Sequence, residues 1–296
     1  MAGQVHTALD TWAPERVNPI GDTIERLGKI VTSSPQERPT GLLVTGANGR
    51  IGRMLRRIWA GDAAVLWHAR QAGPGVDVAW DMVAGPVPDL PAGLTILHLA
   101  GGMAGDRGEY AATVRAVCGL RAAQVLVMSS AAVYGPGAVA WRESDPVAPA
   151  SPYAHAKRDA ELEALGRPGV TLLRLANLAG ADGLLGSLVP GREVVLDPIA
   201  GQDGGPERSY IGPAVLAGVL RGLMGRDLPP VINLAQPGVV SMAALLRARG
   251  QSWRFGPPRD AAVGRLLVDV ALLAGLVTLP PATARGLVAD LDGVLR

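Results

Sequence analysis

The segment Leu42-Leu-Val-Thr-Gly46-Ala-Asn48-Gly49-Arg50-Ile51-Gly52 constrains the fold of this chain more than any other. A short apolar run ends in a turn with glycines three residues apart, and the following residues, Arg50 to Ala60, have helical character. Strand, glycine turn and helix open a dinucleotide-binding βαβ unit. Gly46 permits the tight turn, Gly49 lets backbone approach a pyrophosphate, and Gly52 lets helix pack on strand. The helix N-terminus then faces the phosphate charge. Glycine spacing alone says little in a chain with 39 glycines; its place after the first strand gives it weight.

The same punctuation continues downstream. Ala63–Trp67, Val76–Trp80, Leu94–Leu99, Gln124–Met128 and Val170–Leu175 read as short apolar strands, with helices predicted at 109–121 and 153–165. Buried strands alternating with helices predict an α/β, Rossmann-type doubly wound parallel sheet. Residues 1–39 carry Pro14, Pro19, Pro35 and Pro39 and one predicted helix, Asp22 to Val31, and read as an N-terminal extension. Residues 40–180 form the dinucleotide-binding core. Residues 181–296, richer in Gly and Pro, form a small C-terminal α/β substrate-binding region interleaved with the core, with a strand near Val231–Leu234 and two late helices.

Composition excludes other classes. Hydrophobic residues make up 48% and charged ones 18%, an ordinary globular balance. The net charge of +2 is spread without a run of like charges, so a nucleic-acid partner is not expected. The longest apolar stretch, Val268 to Leu279, is interrupted by Asp269 and Gly275 and is too short for a membrane span. The N-terminus lacks the pattern of a secretory signal, and a cytoplasmic protein is expected. Cys118 is the sole cysteine, and the four histidines (His6, His68, His98, His155) lack metal-ligand spacing, so no metal site is expected.

Tyr153 and Lys157 carry the chemistry. The chain has four tyrosines and only two lysines among 28 cationic residues, and one lysine follows a tyrosine by four. Residues i and i+4 share a helix face, so the ammonium can sit by the phenol and lower its pKa. Such a phenol can exchange a proton near neutral pH. For cofactor choice, no acid stands between Asp62 and Asp77, where an NAD site places one. Arg70, helped by Arg50 or Arg53, could hold a 2′-phosphate instead. NADP is the preferred reading and NAD the alternative.

Together these segments resemble the extended short-chain dehydrogenase/reductase family, of the NAD-dependent epimerase/dehydratase type, over roughly residues 41–245. Thr45–Gly52 is similar to the family's TGxxGxxG turn, and Asp81-Met82 stands where the family contacts adenine. His98-Leu99-Ala100-Gly101 resembles the HLAA strand end along the cofactor. Ser129-Ser130-Ala-Ala-Val-Tyr134-Gly135 is similar to SSxxVYG, which implies a catalytic Ser130. Tyr153 and Lys157 match YxxxK, and Arg174 to Gly180 resembles RxxNxxG, placing Asn177 on cofactor and substrate. Glu207-Arg-Ser-Tyr-Ile211 resembles RDFI, with Arg208 near a substrate anion; the family's following HVxD reads Gly212-Pro213-Ala214 here.

The resemblance implies Ser130, Tyr153 and Lys157 as the catalytic set. It implies a cofactor held by Gly46, Asn48, Gly49, Arg50, Ile51, Gly52, Arg70, Asp81, Met82, Leu99, Ala100, Gly101, Tyr153, Lys157 and Asn177. Ser130, Asn177 and Arg208 would meet substrate. The implied activity is hydride transfer between nicotinamide and a carbonyl or hydroxyl of a small sugar-like molecule. The alternatives are a nucleotide-sugar epimerase/dehydratase with tightly bound NAD and a non-catalytic NADP-sensing or scaffold protein. The family also implies that a homodimer can form from the helices near 109–121 and 153–165. His155 is expected to face solvent, and Arg174 to anchor local structure.

Overall fold

The computed structural model describes residues 41–101, 107–137, 139–260 and 262–296. The N-terminal extension and its predicted helix lie outside them. The strands are β1 (Leu42–Thr45), β2 (Val65–Ala69), β3 (Val78–Ala79), β4 (Thr95–His98), β5 (Gln124–Ser130), β6 (Ala140–Trp141), β7 (Val170–Leu175), β8 (Asn177–Leu178), β9 (Val194–Leu196), β10 (Glu207–Arg208), β11 (Tyr210–Ile211), β12 (Val231–Leu234), β13 (Val240–Ser241), β14 (Trp253–Phe255) and β15 (Arg265–Val268). The helices are α1 (Arg50–Ile58), α2 (Arg107–Cys118), α3 (Pro152–Ala164), α4 (Pro213–Leu223), α5 (Met242–Arg249), α6 (Ala271–Leu276) and α7 (Ala284–Leu295).

Seven strands form the main sheet in the order β12-β7-β5-β4-β1-β2-β3, and every pairing in it is parallel. Its central strands are apolar and buried on both faces, as a sheet covered by helices on two sides requires. One face carries Met54 and Leu55 of α1, Val215 and Leu216 of α4 and Leu287 and Leu291 of α7. The other carries Val114 and Val117 of α2 and Ala160 and Ala164 of α3. The doubly wound α/β expectation is therefore met.

A smaller sheet, β13-β10-β15-β6, and the pairs β11–β8 and β14–β9 come largely from the second half of the chain. That half is not separate from the core, because β12 is an edge strand of the main sheet and α7 covers its face. After residue 180 the described helices number four, α4 to α7, where two late ones were expected. Strand β2 begins two residues later than expected, because Asp62 Oδ1 accepts from Ala64 N and holds a turn there.

Candidate active site

Strand order reverses between β1 and β4, whose neighbours lead away in opposite directions. At such a switch point the carboxyl ends of the strands flank a crevice. Here that crevice is a cleft of about 680 Å³, lined by Gly46, Asn48 and Gly49 after β1, His68 to Pro74 at the end of β2, Asp81 and Met82, and Leu99 to Gly101 after β4. Nine of the expected cofactor residues, Arg70 among them, thus line one cavity.

The turn after β1 is built as its glycines require. Gly46 has φ +70°, and a Cβ there would lie 2.7 Å from Ala100 N. A Cβ on Gly52 would lie 2.5 Å from Gly46 O and 2.6 Å from Ala47 O, so α1 can seat on the turn only without a side chain. Arg50 and Ile51 face elsewhere: Arg50 Nη1 donates to Ala181 O at 3.3 Å, and Ile51 packs on the core.

Beneath the turn runs a polar chain that sequence reading did not find. Thr45 Oγ1 accepts from Leu99 N and Ala100 N, so its proton goes to His98 Nδ1 at 2.9 Å. His98 Nε2 must then donate to Thr113 Oγ1 at 3.3 Å, and Thr113 donates to Tyr110 O. Burial, with the charge of Lys157 adding to it, drives the His98 pKa down to about 3 and keeps the ring neutral. His68 is also buried; its Nε2 donates to Trp80 O, while Nδ1 keeps an acceptor lone pair without a partner. Burial lowers its pKa as well.

Two observations fit a dinucleotide: the glycine turn before α1, whose Gly46 and Gly49 line the cleft, and the orphaned His68 Nδ1 on the same lining. An adenine amino group or ribose hydroxyl is a donor of the kind that atom lacks. Asp81 caps its own turn, accepting from Val83 N and Ala84 N, and these bonds lower its pKa. Arg70 pairs with Glu109 of α2 across the mouth of the cleft.

The three expected catalytic residues come together outside the lining of the cleft and reach it through Tyr110, which lines it. Ser130 ends β5 and caps the following turn by accepting from Ala132 N at 3.2 Å. Ser151 caps α3, accepting from Ala154 N at 3.1 Å, with Pro152 starting the helix. Tyr153 then lies in the first turn and Lys157 one turn on. Burial raises the Tyr153 pKa, and a hydrogen bond from the Ser130 side chain opposes the rise.

Lys157 departs from the sequence expectation. Its Nζ stands 5.9 Å from the Tyr153 ring centre, yet it donates to Tyr110 OH at 2.7 Å and to Met128 O at 3.1 Å. The ammonium therefore does not lower the Tyr153 pKa here: desolvation raises it, and the group that opposes the rise is the Ser130 side chain. Desolvation brings the Lys157 pKa down to about 7, with Glu161 pulling the other way. Tyr110, the one tyrosine outside the sequence motifs, is the residue that motif reading missed.

Asn177 begins β8, and its side chain bonds to Tyr210, whose hydroxyl donates to Asp182 Oδ2 at 3.2 Å. Arg208 spends its guanidinium on the carbonyls of Glu207, Val263 and Gly264. Arg174 is the anchor expected of it: 4% exposed, it makes a two-pronged pair with Glu161, at 2.9 and 3.0 Å. His155 is exposed, as expected. Among the described residues no cluster of side chains could hold a metal, and no helix is long and apolar enough to cross a membrane.

Comparison with known proteins points the same way. Residues 103–191 match the model of the NAD dependent epimerase/dehydratase family. No curated protein matches the chain. Among solved structures it is similar to an NAD-dependent NDP-hexosamine 5,6-dehydratase involved in tunicamycin biosynthesis, at 20% identity and TM-score 0.68, over 85% of this chain and 96% of that one. It is similar to a UDP-N-acetylglucosamine 4-epimerase from Methanobrevibacter ruminantium M1, at 18% identity and TM-score 0.67, over 87% and 98%. It is also similar to a UDP-glucuronic acid 4-epimerase from Bacillus cereus solved with UDP-glucuronic acid and NAD, at 16% identity and TM-score 0.64, over 86% and 99%. This chain spans nearly the full length of each, so size does not set it apart from them. Residues 103–191 thus match the NAD dependent epimerase/dehydratase family, and the doubly wound fold is the one shared with these solved structures.

Proposed function

We propose that this protein is an NAD(P)-dependent oxidoreductase of the short-chain dehydrogenase/reductase type, acting on a carbonyl or hydroxyl carbon of a small sugar-like substrate. One observation carries the reading: Ser130 and the Tyr153 phenol stand together beside buried Lys157, which Tyr110 joins to a cleft of a size and lining that fit a dinucleotide. Bound nicotinamide would supply the hydride-transferring carbon. Tyr153 exchanges the proton with the substrate oxygen, and Ser130 orients that oxygen by a hydrogen bond. Lys157, with its Nζ 5.9 Å from the Tyr153 ring centre and two N–H bonds already made, keeps one N–H for a ribose hydroxyl. The region 181–296 supplies the substrate side, with Asn177 facing it; Arg208 contributes there only if it exchanges a carbonyl partner for a substrate anion.

The test is Tyr153→Phe. Turnover should vanish while NADH and NADPH bind as in the parent; full activity in this variant would sink the assignment.

NADP remains the preferred cofactor in this reading, through Arg70, with NAD the alternative. The Arg70–Glu109 pair favours the second reading, an epimerase or dehydratase with tightly held NAD, because the acid already satisfies the guanidinium that a 2′-phosphate would need. Two similar solved enzymes hold NAD. Cofactor that stays bound through purification, with no net redox change, would favour that reading. A homodimer through α2 and α3 fits the exposed Leu162 and Leu165 beside them. A cytoplasmic location fits the single, unpaired cysteine.

A further inference from the structure

Lys157 is buried, and among the described residues every other Lys/Arg position is arginine; something must fix where its charge points. Three groups surround the ammonium closely. Met128 O, in the middle of β5, accepts one N–H at 3.1 Å. Tyr110 OH, from α2, accepts another at 2.7 Å and itself donates to Met128 O at 2.8 Å. The Tyr110 ring lies under the charge, its centre 4.0 Å from Nζ.

Tyr110 is in turn fixed on every side. It is 5% exposed, its ring stacks on His98 at 6.3 Å and 16°, and its carbonyl accepts from Thr113. A Cβ at Gly101 would run into the ring, so the strand end that lines the cleft is shaped around this side chain. The polar chain from Thr45 through His98 and Thr113 thus ends at the residue that holds the lysine. The titratable groups around Lys157 are His98 on β4, Tyr110 on α2, and Tyr153 and Glu161 on α3.

We infer that Tyr110 is a positioning residue for Lys157: its hydroxyl and ring hold the ammonium in the orientation in which it serves the proton-transfer site, with Met128 O as the second support. The inference deepens the function proposed above and rests on it for the word "serves". Two of the three ammonium N–H bonds are spent on these supports, which leaves one for a ribose hydroxyl or the Tyr153 side. The Tyr110 hydroxyl, accepting from a cation and donating to a carbonyl at once, also favours the charged lysine against the desolvation that opposes it.

The scarcity of lysine makes the test clean. In protein labelled with ¹³C-lysine, Lys29→Arg leaves a single ε-methylene signal, that of Lys157, whose shift can be followed against pH. Adding Tyr110→Phe keeps the ring and removes the acceptor; the titration midpoint should fall by about 1 to 2 units. NADH affinity should weaken by about fivefold or more, with Tyr110→Ala weaker still because the ring is gone as well. A midpoint within about 0.2 units of the parent in folded Tyr110→Phe overturns the inference.

If Tyr110→Phe does not fold, incorporation of 3-fluorotyrosine into the Tyr153→Phe variant keeps the shape and weakens the acceptor; an unmoved Lys157 midpoint there overturns the inference too. A midpoint that falls in a protein that binds neither NADH nor NADPH supports the holding by Tyr110 and overturns the functional reading. The two failures are therefore distinct.

Discussion

Replacing Arg174 by Met should expose how the sheet is fastened to the helix that carries Tyr153 and Lys157. Glu161 of α3 has no exposed side-chain surface and meets Arg174 of β7 at 2.9 and 3.0 Å. In Arg174→Met the carboxylate keeps Ser129 Oγ at 2.7 Å and Arg158 at 3.1 Å, but loses both bonds to its buried partner. Two charge-assisted bonds of roughly 1.5–3 kcal/mol each, partly offset by Arg158, put the loss near 3 kcal/mol. The guanidinium also lies 4.7 Å over the Tyr134 ring, which adds about 1 kcal/mol. The sum, about 4 kcal/mol, corresponds to a fall of on the order of 10 °C in Tm. Adding Glu161→Met removes the stranded charge, and the double variant should recover to within about 1–2 kcal/mol of the parent, the rest reflecting the lost contact with Tyr134 and an unpaired Ser129. Urea unfolding followed by circular dichroism measures all four proteins. A single variant within about 1 kcal/mol of the parent, or a double variant costing as much as the two singles added, would refute the reasoning.

Lys157 should leave a mark on stability against pH. Its folded pKa, held down to about 7 by desolvation, lies below the unfolded 10.5, so the unfolded chain binds more protons between those values and stability rises with pH there. Relative to Lys157→Met, the parent should gain a few kcal/mol from pH 7 to 10; parallel curves would contradict the buried ammonium. Gly52→Ala should cost about 1–3 kcal/mol and cut NADH affinity at least tenfold, because its Cβ meets the Gly46 and Ala47 carbonyls; unchanged calorimetric binding would count against the seating of α1. Asp290 of α7 accepts from Ala214 N at 2.9 Å and Val215 N at 3.2 Å, capping α4 from outside. Asp290→Ala should lower stability by about 1–2 kcal/mol, and chemical denaturation that finds no loss would remove the cap from the account. Glu109→Gln frees Arg70 and should raise the NADPH-to-NADH affinity ratio; an unchanged ratio would mean that Arg70 does not reach the cofactor.

Local pattern made much of this molecule readable. The strands of the main sheet are short apolar runs with punctuated ends, and the turn after β1 announces itself by glycines that geometry demands. Helix α4 escaped notice because Pro213–Leu223 is apolar nearly all round and buried, so it shows no amphipathic period. That Ser130, Tyr153 and Lys157 come together was legible because each sits in a local motif. Tyr110 was not, since its meaning lies in contacts with Lys157, 47 positions away, and with a carbonyl of β5. Arg174 could be read as an anchor from its setting, but its partner Glu161 stands on another element. Arg70 was readable as a cation at the right strand end; the acid across the cleft that neutralises it was not.

The place of β15 in the smaller sheet bears on how the chain is made. Strand β6, at residues 140–141, has β15, at residues 265–268, as its partner, and β10 likewise leans on β15. Asn233 fastens the same corner, its Nδ2 donating to Trp141 O and Asp269 O while Tyr134 OH donates to its Oδ1. During synthesis, therefore, the segment that follows Ser130 waits for more than a hundred further residues before it finds its neighbour. The nucleotide-facing half can close early on local contacts, whereas the wall beside Tyr134 forms only when the tail of the chain arrives. A ribosome that stalls before Arg265 would release a protein able to begin the cleft but unable to finish the site.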